Sequence, residues 1–265
     1  MWCIISDLDG TLLNDQQQIS ARLERSIKQF VQDGGKFTFA TGRSFDSTLP
    51  FIQQLDLQIP VILYNGSKIY DPVSKRYVYE QFLDPLIVEN VLQDGIDLLD
   101  KHEISLLAFD YQGAHYLRWS ERLHNQLQKD RISAMPTSVD ALRSSKLVKL
   151  MFIGDPEKIS IVKKIMQNYN PVNSEPELLE IMAQGVNKGV ACNHLLQMLD
   201  IPKDCLVAVG DNENDVEMIH TARCGIAVKN AHSRLISVAD YVTETTNNEL
   251  ALIEVIEKIR GGLLV

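Results

Sequence analysis

The chain has no apolar run approaching the ~18 residues of a membrane-spanning helix, so no membrane partner is expected. Its acids begin at Asp7, before the apolar stretch of a secretion signal could form, and a cytoplasmic protein is expected. Cysteine is scarce: Cys3, Cys192, Cys205 and Cys224 are scattered, with no CxxC pair. That excludes a cysteine zinc site or a disulfide scaffold and reads as buried thiols in a reducing compartment. The six histidines are dispersed, which argues against a histidine-built metal site. Basic residues are outnumbered, 26 to 35, for a net charge of −9. Nucleic acid and anionic membrane are therefore not expected as partners. There is no internal repeat, low-complexity tract or long Gly/Ser linker. What remains is an ordinary globular composition in 265 residues, enough for one large domain or two modest ones.

The most informative stretch stands at the front. An apolar run, Trp2 to Ile5, stops at Asp7-Leu8-Asp9-Gly10-Thr11. A buried strand would end where the carboxylates begin, and in a parallel α/β sheet ligands bind at the carboxyl edge. Ile19 to Asp33 carries apolar residues at helical spacing and closes on Gly34-Gly35. Lys36 to Ala40 is a short β-type run followed directly by Thr41-Gly42-Arg43. A second helix is expected within Asp46 to Leu55, starting near Pro50, since proline suits a first helical turn. Val61 to Tyr64 is expected as a third strand, closed by Asn65-Gly66. Strand, helix, strand, helix, strand with short joints predicts a doubly wound parallel sheet.

The pattern then changes. Lys68 to Tyr79 reads as a hairpin, Pro85 opens a helix to about Asp100, and β-type runs cover 104–109, 115–119 and 147–153. A helix from Pro156 to Tyr169 and a strand from Leu178 to Met182 follow. The first pattern resumes at Asn187, with a helix from Lys188 to Leu199, a strand from Cys205 to Val209 and a closing helix from Asn248 to Ile259. The expected fold is an α/β Rossmann-like doubly wound parallel core, residues 1–83 and 185–265. An α+β cap domain, 84–184, is inserted into it.

Four polar clusters each follow an apolar strand or open a helix: Asp7/Asp9, Thr41-Gly42-Arg43, Asn187-Lys188-Gly189 and Gly210-Asp211-Asn212-Glu213-Asn214-Asp215. Each alone is an ordinary turn, cap or surface lysine. Together, on one expected sheet edge, they suggest a site. Asp7, Asp211 and either Asp9 or Asp215 would make an all-oxygen set suited to Mg²⁺. Like charges about 4 Å apart cost roughly 4 kcal/mol per pair at an effective dielectric near 20, so the set calls for a cation. A cation and Lys188 would form a positive pole for phosphate. Thr41 and the amides of Thr41-Gly42 and of the Asp7 to Asp9 turn could donate to phosphoryl oxygens. A carboxylate in line with phosphorus can attack it, and a second acid two residues on can shuttle the proton.

These residues resemble the haloacid dehalogenase (HAD) superfamily, motif by motif. Asp7-Leu8-Asp9-Gly10-Thr11 resembles motif one, Thr41 motif two, Lys188 motif three and Gly210-Asp211-x-x-Asn214-Asp215 motif four. Asn65-Gly66, Glu180-Ile181 and Asn230-Ala231 resemble its Cof-type phosphatase branch, subclass IIB, whose α/β cap lies between motifs two and three. The resemblance implies Asp7 as nucleophile and metal ligand, and Asp9 as general acid/base that ligates Mg²⁺ through its backbone carbonyl. It implies Thr41, Gly42, Lys188 and Asn214 on the phosphate or substrate, Asp211 on the metal, and Asp215 supporting the metal shell and Lys188. The implied activity is a Mg²⁺-dependent phosphatase acting on a small phosphate ester (a sugar phosphate, nucleotide or cofactor phosphate) through an aspartyl-phosphate. A sugar phosphomutase shares core and cap, and a phospho-aspartate signalling protein is the alternative from another class. The oligomeric state stays open, with a monomer favoured.

Overall fold

The computed structural model describes residues 1–111 and 113–262. Among these the chain divides into two compact units, Met1–Glu80 with Asn187–Val265, and Gln81–Val186.

In the first unit, β1 (Cys3–Ser6) has every residue buried, as a central parallel strand requires. Helix α1 (Ala21–Gln32) starts at Ser20, whose hydroxyl accepts from the Leu23 amide. It buries Leu23, Ile27 and Phe30 on one stripe, each worth roughly 1.5–3 kcal/mol. Strand β2 (Lys36–Phe39) follows, then α2 (Phe45–Leu55). Pro50 lies inside α2 and does not open it. The helix starts a turn earlier because Ser44 is already extended, and the Thr48 hydroxyl donates to the carbonyls of Ser44 and Phe45.

Strand β3 (Val61–Leu63) runs parallel to the end of β2, as expected, but on its other side it starts a second, antiparallel sheet. It pairs antiparallel with β4 (Lys68–Asp71), which pairs with β5 (Arg76–Glu80), and it meets β2's end through a single parallel bridge, Ala40 to Ile62. The short Tyr64–Ser67 turn reverses the chain too soon for a helical crossover, so β4 returns beside β3 as a hairpin.

The second unit runs through α3 (Pro85–Lys101), β6 (Ser105–Phe109), β7 (Ala114–Leu117), α4 (Glu121–Asp130), β8 (Ala134–Pro136) and α5 (Val139–Ser144). It continues with β9 (Lys149–Ile153), α6 (Pro156–Ile165), β10 (Val172–Glu175) and β11 (Leu178–Met182). Its sheet has the order β10-β11-β9-β6-β7-β8, antiparallel except for the β7/β8 pair. Alternate residues Leu106, Ala108, Leu150, Phe152, Leu179 and Ile181 join Val88, Val91, Ile159 and Val162 in one core. Lys149 and Glu180, diagonal neighbours on β9 and β11, pair at 3.0 Å, both 3% exposed.

The first unit resumes with α7 (Lys188–Met198), β12 (Leu206–Gly210), α8 (Val216–Thr221), β13 (Cys224–Ala227), α9 (Ser233–Ile236), β14 (Tyr241–Val242) and α10 (Ala251–Arg260). Its parallel sheet has the order β14-β13-β12-β1-β2. Ser6 stands opposite both Val209 and Phe39, so β1, β2 and β12 finish nearly level. The residues just past their ends therefore share one edge. Among the described residues no helix is long and apolar enough to cross a membrane.

Candidate active site

The chain leaves β1 at Asp7, whose amide still donates to Val209 of β12 at 2.8 Å. The next residues form a tight turn with Gly10 at φ +74°. A methyl group there would run into the Asp211 carboxylate. Glycine is thus required both for the turn and for the close approach. The Thr11 hydroxyl donates to Asp211 Oδ1 at 3.0 Å, and Asn230 Nδ2 donates to the Gly10 carbonyl at 2.8 Å.

Lys188 opens α7, capped by Asn187, whose Oδ1 accepts from the Val190 amide. Its ammonium is fully buried and donates to Asp7 Oδ1 at 2.5 Å and to Asp215 Oδ1 at 2.6 Å. Asp215 Oδ2 accepts the amides of Asp211 and Asn212 at 3.0 and 3.1 Å. Both Asp215 oxygens are thereby engaged in holding the 210–215 loop and the lysine. One oxygen each from Asp7, Asp211 and Asp215 lie within 4.8 Å of one another.

Three carboxylates against one ammonium leave this buried cluster short of positive charge. Burial first, then the neighbouring carboxylates, pushes the Asp7 carboxyl well above its ordinary value, with Lys188 only partly offsetting it. Burial and Asp215 push Asp211 up to about 7. For Lys188 burial acts downward, but Asp215 and Asp7 outweigh it and its net shift is upward. This donor set and its charge deficit fit a hard divalent cation, which the acidic group could hold.

Thr41 follows the end of β2. Its amide donates to Ile62 at 3.0 Å and its hydroxyl accepts from the Arg43 amide at 3.1 Å. Asp9, two residues past Asp7, stands apart from the buried cluster, its side chain 44% exposed. Arg43 grips it with both arms, Nε to Oδ2 at 2.8 Å and Nη2 to Oδ1 at 2.6 Å. Gln17 donates to Asp9 Oδ1 at 3.3 Å and accepts from Arg43 Nη2. Asn214 places its amide on Asn65 Oδ1 at 3.1 Å.

The structure thus brings Asp7, Lys188, Asp211 and Asp215 into direct contact or close approach. It sets Asp9 at the side, and Thr41, Gly42 and Asn214 on neighbouring loops of the same unit. Arg43, Thr11 and Asn65 stood inside the expected motifs without an assigned role, and Gln17 stood in none of them. Arg43 had a signal, a cation beside Thr41-Gly42 in a chain short of cations. Gln17 had none.

A buried carboxylate–lysine cluster at the carboxyl edge of a parallel sheet suits phosphoryl transfer. The model of the haloacid dehalogenase-like hydrolases matches residues 4–256, and the chain belongs to that family. It is similar to the Bacillus subtilis 5-amino-6-(5-phospho-D-ribitylamino)uracil phosphatase YitU, 26% identical with 94% of each chain covered. It is also similar to phosphatase YwpJ of the same organism, 27% identical over 94% of this chain and 96% of that one. A haloacid dehalogenase-like hydrolase from Bacteroides thetaiotaomicron superposes with a TM-score of 0.85 at 26% identity, covering 97% of this chain and 99% of that one. The HAD subclass IIB sugar phosphatase BT4131 shares the fold, with a TM-score of 0.85 at 17% identity over 99% of this chain and 100% of that one. The chain is a phosphatase of this family.

Proposed function

We propose that the protein is a Mg²⁺-dependent phosphatase that hydrolyses a small phosphorylated metabolite through an aspartyl-phosphate on Asp7. The observation that carries this reading is the contact of Asp7 with buried Lys188, beside Asp211 and one turn from Asp9. Lys188 holds Asp7 in one position and neutralises part of the incoming phosphate charge. An Asp7 carboxylate oxygen attacks phosphorus while the bond to the leaving oxygen breaks, and that oxygen takes a proton from Asp9. Water then attacks the phosphorus of the acyl phosphate, Asp9 receives its proton, and inorganic phosphate and Asp7 are released. Thr41 and Gly42 hold the phosphoryl oxygens, with Asn214 at the phosphate or the substrate. The Arg43 grip on Asp9 must open for each proton transfer, which the exposure of Asp9 permits. Asp7, Asp211 and the Asp9 carbonyl would hold Mg²⁺, with Asp215 behind them. The ion would supply the positive charge that the cluster lacks.

We assign substrate selection to the second unit, as a cap domain. The relatives YitU, YcsE and YwtE are named as phosphatases of 5-amino-6-(5-phospho-D-ribitylamino)uracil, which makes phosphorylated ribityl compounds the first to test. Sugar phosphates, nucleotides and cofactor phosphates complete the panel. The −9 net charge supports a small ester over nucleic acid. A cytoplasmic location fits its free, mainly buried cysteines.

The test is steady release of inorganic phosphate from p-nitrophenyl phosphate by purified protein. Release should need added Mg²⁺ and stop on exhaustive chelation. Full activity after chelation would remove the metal from the scheme, and no release at all would favour a mutase.

A further inference from the structure

Resting on that reading of the phosphate site, we propose that Asn65 is a positioning residue. Its side chain holds the Thr41-Gly42 loop and Asn214 in register for phosphate. The turn that carries it is unusual in its backbone. Tyr64, Asn65 and Gly66 are consecutive residues at positive φ: +51°, +52° and +104°. Only Gly66 adopts this region without steric cost; asparagine tolerates it and tyrosine does so poorly. A hairpin could be closed with less strain, so the surroundings must hold this turn in place.

The surroundings are the loops of the site. The Tyr64 amide donates to the Arg43 carbonyl at 3.1 Å, and the Asn65 amide to the Thr41 carbonyl at 2.8 Å. A methyl group on Gly42 would lie 3.1 Å from both Asn65 Nδ2 and Oδ1. The side-chain amide of Asn65 thus lies against the Gly42 backbone. Its Oδ1 accepts from Asn214 Nδ2, fixing that residue's amide orientation across 149 positions of sequence. Next in line, a methyl group on Gly66 would stand 2.5 Å from the Asn187 carbonyl and 3.0 Å from the Ala191 methyl. Asn187 is the cap of the helix that begins with Lys188. One three-residue turn therefore touches the segments bearing Thr41, Lys188 and Asn214. Asn65, only 2% exposed, is the member that reaches two of them with its side chain.

This makes a separable prediction. Backbone and side-chain contributions part in Asn65→Gly, which keeps the left-handed backbone and removes the amide. With p-nitrophenyl phosphate as substrate and inorganic phosphate as competitor, Asn65→Gly should raise both KM and the phosphate inhibition constant about ten-fold, the loss of one hydrogen bond to a charged-site network. Its kcat should fall less than KM rises, and its Tm should stay near that of the wild type. In a double-mutant cycle with Asn214→Ala, the two losses should be markedly less than multiplicative. An unchanged phosphate inhibition constant in a folded, active Asn65→Gly, or strictly multiplicative losses, would overturn the positioning role alone. A wild-type protein that neither hydrolyses the ester nor is inhibited by phosphate would overturn it together with the reading beneath it.

Discussion

Asp7 and Asp9 sit two residues apart on one turn, yet they belong to different surroundings. Asp7 is 5% exposed and bonded to a lysine with no exposure at all. The Asp9 side chain is 44% exposed and held by Arg43 and Gln17. The floor of the site is over-supplied with negative charge and cannot rearrange without stranding a buried ion. The rim is one-sided: the Asp9 carboxylate is half exposed and can turn toward water, while the Arg43 side chain that grips it is 5% exposed and stays in the protein. A nucleophile needs the first environment and a proton shuttle the second. One short motif spans both environments, because Asp7, just past β1, still holds a ladder hydrogen bond to Val209 while Asp9 lies on the turn beyond it.

The contrast can be broken hardest at the floor. Lys188→Ala leaves Asp7 and Asp215 buried without their cation. Stability should fall by about 3–5 kcal/mol, read by denaturant unfolding, and phosphatase activity should be lost. A variant of near wild-type stability would mean the floor tolerates its own charge. At the rim, Asp9→Asn should slow turnover about 10²- to 10⁴-fold, the usual contribution of a general acid/base. Its stability should fall by about 1–3 kcal/mol, less than at the floor, since the amide can still accept from the Arg43 side chain, 5% exposed, but no longer balances its charge. A stability loss as large as at the floor would make Asp9 part of the scaffold.

A smaller effect sharpens the same comparison through pH. Without metal, the Asp211 carboxyl is raised from 3.8 to about 7, and Asp7 is raised as well. Asp211 faces Asp7, Asp215, Lys188 and the Thr11 hydroxyl. A carboxyl with a raised folded pKa binds more protons folded than unfolded. Its contribution is full below about 4 and is lost as pH rises toward about 7. The upward shift of Lys188 acts above its ordinary 10.5, outside this window. Carboxyls held below their ordinary values, such as Glu254, act in the opposite sense at lower pH. The Tm of chelated protein should therefore drop by roughly 2–4 °C or more between pH 4.5 and 7.5, and saturating Mg²⁺ should flatten that slope. A slope unaffected by Mg²⁺ would place the ion elsewhere.

Much of this molecule was legible because its chemistry sits where strands end. The change from apolar to acidic at Asp7, and the clusters at Thr41, Lys188 and Asp211, could be placed on one edge from order alone. The partners of those residues could not. Gln17 reaches Asp9 through a loop with no pattern, and Arg43 turns onto Asp9 rather than onto solvent only because tertiary folding brings them together. In the second unit, α4, β8 and α5 were not read from the sequence. Helix α4 shows only Leu123 and Leu127 to its core, and β8 is three residues long, too little for a period to register. Val61 to Tyr64 was legible as a strand parallel to its predecessor, but its antiparallel pairing with β4 was not, because that depends on the turn that follows. Asn247 shows another long-range tie, its side chain donating to Leu13 across the sequence at 2.9 Å.

The central claim is that Asp7 itself carries the phosphoryl group. Rapid acid quenching during turnover of an acyl or aryl phosphate, followed by peptide mass analysis, reads this directly. The account predicts a phosphoryl-mass increment on the peptide holding Asp7, more abundant in Asp9→Asn because hydrolysis of the intermediate is slowed, and absent in Asp7→Asn, which should be folded and inactive. A phosphoryl group on another residue, or near-normal turnover by Asp7→Asn, would contradict it.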